Sequence, residues 1–124
     1  MTDEKYQAIR SILFNVKYPN GFRCECGHDE YTFYGKYDYV KCSRCHGMYA
    51  LTKGTVLSHS RDFDRVLHTL VILDQDDEVT GATLSTHLAI PRVSAYRLLK
   101  RLRKYLKDGD EVLERLLELE RESA

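Results

Sequence analysis

The chain has 124 residues, 19 Lys+Arg against 19 Asp+Glu, and a formal net charge of zero. At ~100–200 residues per domain, that length allows one ordinary domain or two very small ones, and the charge balance excludes a polybasic tail. The longest apolar run, Leu70-Val71-Ile72-Leu73, is far short of the ~18 residues that span a bilayer, so no membrane association is expected.

Residues 3–16 carry Tyr6, Ile9, Ile12, Leu13 and Val16 at spacings of three and four, which predicts a short amphipathic helix capped by Thr2 or Asp3. The acidic start Met1-Thr2-Asp3-Glu4-Lys5 lacks an apolar signal segment, and a cytoplasmic chain is expected. Tyr18-Pro19-Asn20-Gly21 reads as a turn. From Phe22 to Thr52 the composition turns β-like and aromatic. Glu30–Tyr34 and Asp38–Lys41 are expected to pair around Gly35-Lys36-Tyr37, with Met48–Leu51 as a third strand.

That stretch also holds all four cysteines, as Cys24-Glu25-Cys26 and Cys42-Ser43-Arg44-Cys45 with fifteen residues between the pairs. In a reducing compartment such a cluster points to metal rather than disulfides. Two tight turns, each offering a pair of thiolates, can close Zn2+ into a tetrahedron with Zn–S of ~2.3 Å. Gly27 and Gly47 stand where the turns want positive φ. The first pair is one residue shorter than the usual Cys-x-x-Cys, and His28 or His46 is near enough to replace one cysteine. Cys24, Cys26, Cys42 and Cys45 are the expected ligands, and a zinc bound there is expected to be structural. A module of this size buries too little surface to fold alone.

After Gly54 the pattern is helical. Phe63, Val66, Leu67, Leu70 and Leu73 line one face of a helix from about Asp62 to Leu73, followed by an acidic connector and by helices near 82–88 and 92–107. Gly81–Leu102 reads as a helix-turn-helix. Leu84 and Leu88 face the core, Ile90 plugs the turn, Ala95 permits close approach, and Pro91 suits the first turn of the second helix. Ala89 occupies a position often held by Gly, so the turn there is expected to be either different or strained.

Charge is sorted along the chain. Residues 80–107 carry seven bases and no acid, whereas 62–79 and 108–124 each sum to −5. With Ala95 at zero on a helical wheel, Leu98, Leu99, Leu102 and Leu106 share its side. Val93, Arg97, Lys100 and Lys104 lie opposite, flanked by Ser94 and Arg101. On this reading Arg92 and Arg97 meet guanine edges, Val93 a thymine methyl, and Ser94 or Tyr96 a phosphate. The predicted DNA contacts are Arg92, Val93, Ser94, Tyr96, Arg97, Lys100, Arg101 and Lys104, and the partner is double-stranded DNA in the nucleoid. No small-molecule substrate and no enzyme chemistry are expected, because no convergent acid–base set is visible.

Residues 108–124 carry Val112, Leu113, Leu116, Leu117 and Leu119 on a helix too short to stand alone. It has to dock on its own domain or on a twin chain, and a homodimer through it would present two recognition helices. The expected organisation is an N-terminal helix (1–17), a ribbon (18–56), a helical DNA-binding domain (57–107) and a C-terminal helix (108–124). The fold class is α+β: a three-stranded zinc ribbon with a helix-turn-helix domain.

Tyr18-Pro19-Asn20-Gly21-Phe22-Arg23-Cys24, the second cysteine pair, and Leu51-Thr52-Lys53-Gly54-Thr55-Val56 together resemble the N-terminal part of bacterial zinc-ribbon insertion-sequence transposases of the DDE type. The order of motifs matches over roughly 18–107. The Gly54-Thr55-Val56 step is its most specific piece, and Cys24-Glu25-Cys26 is its clearest departure. A Trp usual before the Pro is replaced by Tyr18. The resemblance implies that the ribbon and helix-turn-helix bind a transposon end. In that family an RNase H-like catalytic domain follows, whereas here 17 residues remain after Lys107. A truncated transposase, an excised piece or a domesticated regulator would each fit, and the competing reading is a zinc-ribbon adaptor for protein partners.

Overall fold

A computed structural model describes residues 3–35, 39–58 and 62–123, with Ser123 as backbone only. Thr2, Lys36, Tyr37 and Asp38, which entered the expected first cap, hairpin turn and second strand, lie outside the described residues. The chain forms two compact units that meet between Gly54 and Thr55. Among the described residues the fold is mixed α+β, with five helices and a three-stranded antiparallel sheet.

In the first unit, α1 (Asp3–Lys17) begins with Asp3 and Glu4 and ends with Lys17, charges that complement the helix dipole at both ends. It stops where Pro19 and Gly21, at φ +91°, form a turn closed by the Gly21 amide on the Tyr18 carbonyl at 3.0 Å. Strands β1 (Tyr31–Tyr34), β2 (Tyr39–Cys42) and β3 (Met48–Ala50) follow, with β2 in the middle. The third strand ends one residue before Leu51, which is fully buried instead. In register, Tyr31 pairs Cys42, Phe33 pairs Val40 and Val40 pairs Tyr49, so these five share one sheet face. Phe14 of α1 covers that face, stacked on Tyr31 at 4.9 Å and edge-on to Phe33 at 5.7 Å. The Arg10 guanidinium lies 4.0 Å over the Phe33 ring.

The second unit starts on a turn in which the Leu57 amide donates to Thr55 Oγ1 at 3.1 Å, with Val56 and Leu57 buried. Helix α2 (Phe63–Gln75) is capped by Asp62, whose carboxylate accepts from the Arg65 amide at 3.1 Å. Helix α3 (Gly81–Leu88) is capped by Thr80 in the same way, at 3.2 Å from the Thr83 amide. Then come α4 (Arg92–Asp108) and α5 (Glu111–Ser123). Pro91 is the N-cap residue of α4 rather than part of its first turn, with φ −57° and ψ 145°. Leucines supply most of the core: Leu70, Leu84, Leu99, Leu102, Leu113 and Leu116 are all essentially inaccessible. Helix α5 packs on α2, and α3 on α4. The Val112, Leu113, Leu116 and Leu117 stripe is therefore buried within its own unit.

One wheel assignment needs correction. Leu106 falls on the apolar side by angle but is 40% exposed, so the buried stripe of α4 ends at Leu102.

Candidate metal centre and basic helix

The two cysteine pairs converge because β2 carries Cys42 at its end, and tight turns before β1 and between β2 and β3 hold the other three. Cys24–Gly27 turns with the Gly27 amide on the Cys24 carbonyl at 2.9 Å and Gly27 at φ +90°. Cys42–His46 turns with the His46 amide on the Cys42 carbonyl at 3.1 Å. The left-handed residue of this second turn is His46, at φ 62°, not Gly47 as the sequence suggests. Gly47 is small for another reason, since a Cβ there would lie 3.3 Å from Cys45 Sγ.

All four sulfurs lie within 4.8 Å of one another. Cys24 and Cys45 Sγ are 3.4 Å apart, and Cys26 and Cys42 Sγ are 3.7 Å apart. A tetrahedron with metal–sulfur bonds of ~2.3 Å has sulfur–sulfur edges of ~3.8 Å, so the cluster is close to the size a metal requires. None of the four is in a disulfide. His28 and His46 are not in the cluster. The His28 imidazole instead sits 3.8 Å from the Glu30 carboxylate, and its carbonyl accepts from the Cys24 amide at 2.9 Å.

Hydrogen bonds favour charge on the sulfurs. The Tyr49 hydroxyl, 3.2 Å from Cys24 Sγ, and the Cys26 amide hold the Cys24 thiol down to about 6. At Cys45 the Gly47 amide pulls the same way from 3.4 Å, yet neighbouring Cys24 together with burial pushes that thiol up to about 11. Tyr49 is itself pushed up to about 12 by Cys24. Cys42 is also held below its ordinary value, by the Cys45 amide first, whereas Cys26, like Cys45, is pushed up, so one thiol of each pair ionises readily and the other resists. A divalent cation relieves that conflict by offsetting two of the four negative charges and bonding to every sulfur. Tyr49 was missed by spacing arguments; its only signal is a β-strand tyrosine shortly after Cys45.

In the second unit, α3 and α4 are joined by Ala89-Ile90-Pro91. Ala89 is in the left-handed region at φ 52° and ψ 47°, the strain expected of a non-glycine there. Ser85 holds the turn: its carbonyl accepts from the Ile90 amide at 3.1 Å, and its hydroxyl donates to the Ile90 carbonyl at 2.5 Å. Ala95 is fully buried where α3 and α4 pack.

On α4, Arg92, Val93, Tyr96, Arg97, Lys100 and Lys104 are exposed, Val93 at 60% and Tyr96 at 56%. Ser94 and Arg101 are half-buried. Tyr96 also has a packing role, since a Cβ on Gly81 would lie 2.6 Å from its ring, so any side chain at the start of α3 has to displace that ring. Arg103 belongs to the basic run but reaches back to the connector before α3, donating to the carbonyls of Asp77, at 3.2 Å, and Val79. Tyr105 likewise donates to the Thr55 carbonyl at 3.1 Å. Neither structural role follows from a helical wheel.

No helix among the described residues is long and apolar enough to cross a membrane. Comparison with protein-family models, curated proteins and solved structures gives no match.

Proposed function

We propose that this chain is a zinc-stabilised, sequence-specific binder of double-stranded DNA, similar to the end-binding module of an insertion-sequence transposase, and that it acts as a binder rather than an enzyme. The exposed face of α4 carries this reading. Arg92, Val93, Arg97, Lys100 and Lys104 project from a helix of 17 residues that has no acid before Asp108. Such a helix is ~25 Å long, which suits a major groove with phosphates along both walls. The tight α3–α4 turn through Ala89 supports a helix-turn-helix, in which the second helix enters the groove by its N-terminal residues. Arg92 and Arg97 then meet base edges, while Lys100 and Lys104 meet phosphates.

Zinc suits the four cysteines better than a harder cation, because an all-thiolate tetrahedron selects soft metals and zinc closes it without redox chemistry. A ribbon held in this way leaves the helical unit to read DNA. Selection of bound duplexes from a random pool by the metal-loaded chain is expected to yield a shared sequence, and R97E/K100E to abolish its enrichment. A pool that stays random, or enrichment untouched by R97E/K100E, would favour an adaptor that binds protein partners.

A further inference from the structure

The sheet has two unlike faces. Tyr31, Phe33 and Tyr49 are on the inner one, with Phe14 packed against Tyr31 and Phe33. The outer one follows from the same register: Thr32 pairs Lys41, Lys41 pairs Met48, Tyr34 pairs Tyr39, and Tyr39 pairs Ala50. Tyr34 is 55% exposed, Met48 47% and Tyr39 37%. Paired positions on one face hold their Cβ atoms ~4.5–5.5 Å apart, so the two tyrosines are neighbours on the surface.

We propose that this outer face binds single-stranded DNA, stacking unpaired bases on Tyr34 and Tyr39.

The charges around the rings suit a phosphate backbone. Lys41 stands between Thr32 and Met48, and none of the six outer positions is acidic. At the β3 end of the tyrosine row, the Lys17 ammonium donates to the Ala50 carbonyl at 2.6 Å. Burial first, and the positive charge of Lys53 second, lower the Lys17 pKa, and an anion bound beside the two lysines would oppose both effects. A protein partner is the weaker fit, because a stable interface takes ~20–30 residues a side and this face offers six. A base needs only a ring to stack on, and the interaction tolerates any sequence. The inference does not rest on the duplex reading of α4, since it uses other residues in the other unit.

Fluorescence anisotropy of a labelled oligothymidine of about twelve nucleotides tests it with the full metal-loaded chain. Y34A/Y39A is expected to weaken binding at least ~10-fold, leaving metal content and duplex affinity unchanged. Y34F/Y39F keeps the rings and should bind as wild type does. R97E/K100E should lose the duplex and keep the oligothymidine, so the two readings fail separately. No binding of oligothymidine by the wild type, or binding unchanged in Y34A/Y39A, would overturn the proposal. So would equal losses in the Ala and Phe pairs, which would assign the effect to the hydroxyls. Self-association abolished by Y34A/Y39A while oligothymidine binding persists would give the face to a second copy.

Discussion

The two units are held together by different physics. Among the described residues, the second unit buries more than twice as many apolar side chains as the first, nearly all of them aliphatic and most of them on its helices. Among the described residues of the first unit, the buried apolar set is Ile9, Leu13, Phe22, Val40 and Leu51, with Cys24 and Cys42 completing it. Two of its most buried positions are thus candidate metal ligands. Aromatic edges fill part of the gap, since Phe22 packs against Tyr18, Tyr31 and Tyr49 at 5.2–5.9 Å. Each such ring pair adds only ~0.5–1.5 kcal/mol beyond its burial, too little to replace a core. One unit should therefore depend on a metal and the other should not.

Metal removal is the strongest way to break that contrast. Structural zinc contributes about 10–16 kcal/mol to a small module, so a chelator at neutral pH, or Cys42→Ser, should unfold residues 1–54. The signals of α2–α5 should survive, and NMR resolves the two sets. Acid should act like the chelator, because protons compete with the metal for thiolates.

Leu116→Ala reverses the experiment. Leu116 is fully buried in the unit where α5 packs on α2, so about 2–5 kcal/mol should be lost from the helical unit in denaturant unfolding, with metal content unchanged. A chain ending at Asp108 should destabilise the same unit by uncovering α2.

Gly81→Ala probes the α3–α4 contact. The added methyl meets the Tyr96 ring at 2.6 Å and should cost about 1–3 kcal/mol. Tyr96→Ala should recover most of that in a double-mutant cycle. Ala89→Gly should act in the opposite direction, raising the helical unit's stability by about 0.5–1 kcal/mol as the left-handed strain is removed.

The smallest effect belongs to Asp74, whose carboxylate accepts from the Arg121 guanidinium at 3.0 and 2.5 Å. Arg121 holds the Asp74 pKa below its ordinary value. Its contribution is complete above that ordinary value and fades as pH falls through the depressed one. Asp74→Asn should remove this acid sensitivity with little change at neutral pH, as expected of an exposed pair.

What could be read from the sequence follows the same division. Periodicity places α1 to α4 to within a residue or two and the start of α5 three residues early, because each buries an apolar stripe; the Asp62 and Thr80 caps of α2 and α3 are seen only in the structure. The cysteine spacing brings the four thiols together, since two short turns leave their side chains little choice. The features it misses are contacts between distant segments. Arg103 looked like one more base in an acid-free run, yet it holds the Asp77 and Val79 carbonyls. Tyr49 looked like a strand residue, yet its hydroxyl tunes Cys24. The left-handed residue of the second cysteine turn fell on His46 because the turn closes one position before the glycine. The docking partner of α5 was equally open, because an apolar stripe states that it must be covered but not by what.

Binding of the selected duplex across a salt series, with wild type and R97E/K100E side by side, tests the central claim most directly. The bases assigned to the α4 face, Arg92, Arg97, Lys100, Arg101 and Lys104, predict a slope between about −2, from Lys100 and Lys104 alone, and about −4.5, from all five, in log K against log[salt] for the wild type. R97E/K100E should bind far more weakly, with a shallower slope. A flat salt dependence, or two superimposable curves, would contradict the assignment of DNA to this helix.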